Sequence, residues 1–244
     1  MEPRFELHRH TVRRPSGLGL LAVAAATLVA GCSQATGADV SLAERGVAEP
    51  PSSSTTAPLP TTPPRVVRDQ AWVPFATAQG LVLRYPSARV ERVGFHESNH
   101  DGARPLEPLP AAPDAVTLEP RERGTGARTA ADVVVDPDVA IRAPVSGRVL
   151  HAGSYVLYCD YSDDFVVIAP DDRPGWEVKI LHIRGVAVRS GQRVEAGETV
   201  VAPGPTRLPF PSQVEEVTAQ PPWPHVHIEV IDPTIRDRPS GRGC

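Results

Sequence analysis

Residues 221–232 read PPWPHVHIEVID, and the fold turns on whether His225 to Ile231 is a strand. Val226, Ile228 and Val230 fall at every second place and so share one face, while His225, His227 and Glu229 share the other. The first face is suited to a core. The second sets two imidazoles side by side on a rigid element, which serves a metal or acid/base site and equally serves a solvated strand face.

Upstream of this run the same kind of segment recurs. ADVVV (131–135), PVSGRVLHAG (144–153), SYVLYCDY (154–161), DFVVIAP (164–170), WEVKILHI (176–183) and GETVVAP (197–203) are short and rich in Val, Ile and Tyr. Turn-forming breaks such as DPD (136–138), DDRPG (171–175), RSGQ (189–192) and PGPT (203–206) separate them. No comparable stretch has helical spacing. Residues 132–244 are therefore expected to form a compact all-β domain of antiparallel sheet.

Residues 65–131 hold short apolar pieces cut by Pro-rich turns, ARPLEPLPAAPDA (103–115) among them, and read as an irregular lead-in packed on that domain. Before it, AEPPSSSTTAPLPTTPP (48–64) mixes Pro with Ser and Thr and has no apolar period. It buries too little to offset the entropy of ordering it, so 32–64 reads as a semi-extended spacer.

The first 31 residues have the character of an export signal. Arg4, Arg9, Arg13 and Arg14 precede an apolar run from Leu18 to Ala30 that ends at Gly31-Cys32, too short for a membrane span. The stretch LVAGC (28–32) resembles a bacterial lipobox. That resemblance implies a signal peptide over 1–31, acylation of Cys32, and a lipoprotein anchored by its acyl chains to the membrane of the cell envelope, outside the cytoplasm. Cys159 and Cys244 are then an even pair in an oxidising compartment, where a disulfide is permitted.

Composition excludes other classes. The 244-residue chain has 28 Pro, 5% aromatics and a net charge of −4, which leaves no large aromatic core and no basic footprint for nucleic acid. IRAPVSGRVLHAG (141–153) and VAVRSGQRVEAGETVVAP (186–203) look like barrel-sandwich phrases, with Gly147, Gly191 and Gly197 suited to turns. Lipoyl and biotinyl carriers use similar phrases but need a lysine on an exposed hairpin. Lys179, the only lysine, lies in an apolar run instead.

Together, ADVVV, AIRAPVSGRVLHAG, VKILHIRGVAVRSGQRVEAGETVVA and HVHIEV resemble the lysostaphin/LytM zinc endopeptidases, which cut peptidoglycan peptides. The resemblance implies zinc bound by Asp132 and by His227, the second histidine of HVH, with water in an open position. It implies His225 and His182 as the histidines that assist catalysis. Three protein ligands and a water suit catalytic zinc, and a neighbouring imidazole can accept a proton or stabilise an oxyanion.

One position departs from the family. Four residues before Asp132, where the family has its first histidine ligand, stands Arg128, whose guanidinium stays protonated and repels a dication. His96 and His100 in GFHESNHD (94–101), with Asp101 beside them, are candidates to replace it, and His151 is another. The departure makes a degenerate domain the leading expectation, one that binds peptidoglycan or an envelope protein. A working zinc endopeptidase with an unorthodox ligand set is the alternative. A purely structural tethered domain, its histidines ordinary polar residues, is the third.

Overall fold

The computed structural model describes residues 64–238 apart from 70, 71, 111 and 113, all within one compact unit. The leader, Cys32, most of the spacer and Cys244 lie outside the described residues. Strands β1 (Arg68–Asp69), β2 (Pro74–Ala78), β3 (Leu81–Arg84), β4 (Arg89–His96), β5 (Glu107–Pro108) and β6 (Ala115–Thr117) precede β7 (Ala130–Val135). After it come β8 (Ile141–Arg142), β9 (Gly147–Leu157), β10 (Tyr161–Pro170), β11 (Glu177–Arg184), β12 (Arg193–Val194), β13 (Val200–Ala202), β14 (Gly204–Pro205) and β15 (His225–Ile231). A single 3₁₀ turn, Glu215–Val217, is the only helical element among the described residues.

The fold is all-β, as the series of short Val/Ile runs requires. The principal sheet runs in the order β1-β4-β7-β15-β11-β10-β9-β12, open at both ends, with β14 beside β11 and β6 beside β4. Every pairing is antiparallel except β4 with β6. Two small sheets, β13-β8 and β3-β2-β5, complete the unit.

The alternation in β15 holds, with one difference. Val226, Ile228 and Val230 enter a core shared with Val133, Val178 and Ile180 of the neighbouring strands, as expected. The opposite face is covered as well: His225 is 3% exposed and Glu229 6%. Leu118, Val134 and Val214 pack together on that side of the sheet, so part of the polar face is roofed while the rest lines a cleft.

The lead-in over 65–131 is more ordered than its proline content suggests. Strands β1 to β6 fall within it, and β4 pairs along β7 over most of its length. The reason is burial on both faces. Val90, Val93 and Phe95 enter the core while Glu91 and His96 are also covered, so RVERVGFH lacks the polar alternation that marks a one-sided strand.

Candidate metal centre

Register brings the first donors together. On β7 and β15, Asp132 stands directly opposite His227, and on the far side of β7, Gly94 of β4 stands opposite Asp132. His96 is two residues beyond Gly94 and so returns to the same face, diagonal to Asp132. Gly94 also lets the roof close: a Cβ there would lie 2.8 Å from Val214 Cγ2 and 2.9 Å from Leu118 Cδ1.

The three donors converge. His227 Nδ1 is 2.9 Å from Asp132 Oδ1 and His96 Nε2 is 3.0 Å from the same oxygen, and one ligand atom from each residue lies within 4.8 Å of the others. His96 carries the most telling detail. Its Nδ1 lies 2.9 Å from the carbonyl oxygen of Glu97, which can only accept, so Nδ1–H is the donor. In the neutral ring this leaves the Nε2 lone pair aimed at a carboxylate oxygen. Nε2 is buried, has no well-aligned hydrogen-bond partner among the described residues, and faces Asp132 Oδ1 at 3.0 Å. Two lone-pair atoms facing each other repel, and a cation between them turns that repulsion into ligation. The donor set His₂Asp therefore fits a zinc ion, and the Glu97 carbonyl fixes the ring as a second-layer partner of a metal-bound histidine would.

Charge is balanced tightly here. In the metal-free protein burial alone would raise the Asp132 carboxyl, but positive charge at His96 and His225 and the hydrogen bond from His227 hold it well below the usual carboxylate range, a charge that a bound cation would replace. Burial likewise lowers His227, yet its contacts with Asp132 and Glu229 outweigh this and lift it to about 9. Glu229 lies 3.7 Å from His227 Nε2, accepts a hydrogen bond from Ser98 Oγ at 2.5 Å, and faces Lys179 Nζ at 3.5 Å. Lys179 thus serves as counter-charge behind the site.

His182 arrives by a different device. Along β11, Leu181 pairs with Phe165 and Ile183 with Asp164, so His182 is the extra residue of a β-bulge, with φ of 62°. Strict alternation would send it to the core with Val178 and Ile180. The bulge re-aims it toward the donors, its ring centroid 5.0 Å from that of His225 and 6.0 Å from that of His227. Asp163 secures the conformation: its Oδ2 accepts from the His182 backbone N–H at 3.2 Å and from the ring Nδ1–H at 2.7 Å. Tyr155 Oη donates to the same oxygen at 2.7 Å. Burial depresses the His182 pKa, with Asp163 only partly opposing it, so the ring is neutral with Nε2 free to take a proton.

His225 completes the group. Its Nε2 is 3.8 Å from Asp132 Oδ2, and its Nδ1 is 3.6 Å from Glu215 Oε1 and 3.3 Å from Ser212 Oγ. The four expected residues, Asp132, His182, His225 and His227, are thus brought to one site.

Arg128 is not in that site. It is exposed and donates from Nε to Thr117 Oγ1 at 3.0 Å, so the position four before Asp132 neither ligates nor blocks. His96 stands at the donors in its place. His100 lies along the same cleft but accepts from Gly102 N–H at 3.0 Å, apart from the three donors, and Asp101 pairs with Arg238. His151 is exposed on β9. Asp163, Glu215 and Tyr155 were not singled out from sequence, since nothing in YSDDF or QVEEV spaces them against a histidine. Cys159 lines the cleft and is disulfide-bonded, while Cys244 lies outside the described residues.

The donors sit at the floor of an open cleft of about 1030 Å³, walled on one side by the β9–β10 hairpin with Tyr155 and Tyr158, and by Phe210. No family model matches the chain, and no curated protein matches it. Among solved structures it is similar to a zinc-containing peptidase from Vibrio cholerae, with a TM-score of 0.30 and 17% identity over 56% of this chain and 33% of that one. The chain spans about a third of that protein's length.

Proposed function

We propose that the protein is a zinc-dependent peptide hydrolase of the bacterial envelope, of the lysostaphin/LytM kind, whose first histidine ligand is His96. The observation that carries this reading is the meeting of His96 Nε2, Asp132 Oδ1 and His227 Nδ1 at one buried point beside two further histidines. A degenerate domain was the leading expectation because Arg128 holds the usual ligand position. His96 supplies the donor that position lacks.

Zinc held by these three residues would supply Lewis acidity, easing deprotonation of a water and polarising a peptide carbonyl. The chain's own groups do the rest. His182, neutral and oriented by Asp163, takes the proton of the attacking water on Nε2 and returns it to the leaving amine. His225, held at Nδ1 by Glu215 and Ser212, donates from Nε2 in its doubly protonated form to the oxygen on which negative charge develops. The roof of Leu118, Val134 and Val214 keeps solvent from one side of the donors. The lipobox-like LVAGC and the Pro/Ser/Thr spacer support an anchored, extracytoplasmic placement, within reach of peptidoglycan peptides.

Zinc content and wall digestion together test this. Protein purified without chelator or added metal is expected to carry near-stoichiometric zinc, to lose it on His96→Ala or His227→Ala, and to release peptide fragments from purified cell walls. Metal-free wild-type protein that takes up no zinc and releases no fragments would overturn the hydrolase and return the fold to a binding role.

A further inference from the structure

The cleft carries a pair of cations that the metal chemistry does not use. Arg121 and Arg123 follow β6 on the loop leading to β7, and both line the cleft, half-buried. Arg121 Nε donates to Gln213 Oε1 at 2.8 Å and Arg123 donates from an η nitrogen to the Glu97 carbonyl at 2.9 Å, so each head group is fixed by a neutral acceptor. Glu97, whose carbonyl holds Arg123, spends its carboxylate on the backbone N–H groups of Arg121 at 2.7 Å and Arg123 at 3.0 Å. Among the described residues neither guanidinium has a carboxylate within 4.0 Å, whereas Arg65, Arg89 and Arg193 do.

Such an arrangement is costly unless something negative joins it. Burial depresses the Arg123 pKa and the adjacent Arg121 charge depresses it further, while Asp132 acts on it in the opposite sense. Two like charges are therefore held together on one wall, within electrostatic reach of the aspartate donor. Guanidinium groups pre-oriented by neutral acceptors keep N–H donors for a carboxylate, the anion whose geometry they match best. In the same cleft, the tilted rings of Tyr158 and Phe210, with centroids 5.4 Å apart, offer an apolar surface for the rest of a peptide.

We infer that Arg121 and Arg123 form a carboxylate subsite beside the metal centre, so that the substrate is a peptide bearing a free carboxylate close to the scissile amide. This rests on the hydrolase reading only for the word substrate; the anion preference stands or falls by binding alone.

The test therefore reads binding apart from turnover. Zinc-supplemented protein is titrated with N-acetyl-dialanine and with N-acetyl-dialaninamide while the arginine Nε–H resonances are followed by NMR. The acid is expected to bind about tenfold more tightly than the amide and to shift the Arg121 and Arg123 resonances. Arg123→Gln and Arg121→Gln should each erase most of that preference, and Arg123→Lys should retain part of it. Equal affinity of acid and amide in the wild type, or binding that leaves both resonances in place, would overturn the subsite without recourse to any variant. Protein that prefers the acid yet cuts no wall peptide refutes the hydrolase and leaves the subsite intact. Protein that cuts wall peptides equally well before and after amidation of their carboxylates refutes the subsite alone.

Discussion

His96 Nε2 lies 3.0 Å from Asp132 Oδ1, although the two residues belong to different strands and the long segment carrying β5 and β6 separates them in the chain. The pairing of β4 with β7 sets that distance, and the Glu97 carbonyl sets the orientation of the ring.

His96→Ala should therefore cost zinc affinity as a lost ligand does, about a hundredfold or more, by analogy with the 10- to 100-fold cost of losing a second-layer partner. Arg128→Ala should leave zinc affinity unchanged, since that side chain is exposed against Thr117. Competition with a chromophoric chelator measures both. Equal losses in the two variants would mean that the ligand set is misassigned.

Zinc should also stabilise the fold. Free zinc at a thousand times its dissociation constant adds about 4 kcal/mol to a protein that binds it only when folded. The melting temperature of wild-type protein should rise accordingly, and that of Asp132→Asn should rise far less.

Asp163 acts through His182. Asp163→Asn leaves the donors in place but weakens the hold on the imidazole and its backbone N–H, so kcat on a wall peptide should fall about 10- to 100-fold while KM and zinc content change little. A matching rise in KM, or loss of zinc, would show that Asp163 supports the cleft as a whole and not the orientation of His182.

Acid should destabilise the metal-free protein by way of the same partners. Burial raises Asp163 and Glu215, but their contacts with His182 and His225 outweigh it and depress both carboxyls below their ordinary values of 3.8 and 4.5. A depressed folded-state pKa contributes stability that is full above about pH 4.5 and is lost as pH falls through the folded-state values. Urea midpoints taken between pH 6 and pH 3 should fall, and Asp163→Asn with Glu215→Gln should flatten the decline.

Gly94→Ala probes the roof. The added methyl would collide with Val214 and Leu118, an overpacking expected to cost about 1–3 kcal/mol in urea unfolding. If stability is unchanged, the roof yields freely and does not shield the donors.

How much of this was legible in the chain depended on the element. The β15 alternation carried His225 and His227 onto one face, because a period of two fixes side-chain direction within a strand without knowledge of the neighbours, while Asp132 was legible through resemblance and joins them by the pairing of β7 with β15. His182 was legible only through resemblance, since its direction comes from a bulge that no spacing in WEVKILHI announces. His96 stood among the candidates but without a reason to prefer it over His100, because only strand pairing puts one of them diagonal to Asp132. The lead-in was read as irregular because its prolines cluster between the strands, while β4 itself, buried on both faces, lacks any polar rhythm.

The placement of the first donor on β4 has a consequence for the intervening segment, residues 97–129. In a motif whose two ligands share one turn of chain, an insertion between them destroys the site. Here the sheet acts as the ruler, and the connecting segment is released from metrical duty. It is free to lengthen, shorten and diversify, and it is the segment that delivers Arg121 and Arg123 to the cleft, so the cleft wall can change while the donors stay where the ladder of β4 and β7 holds them.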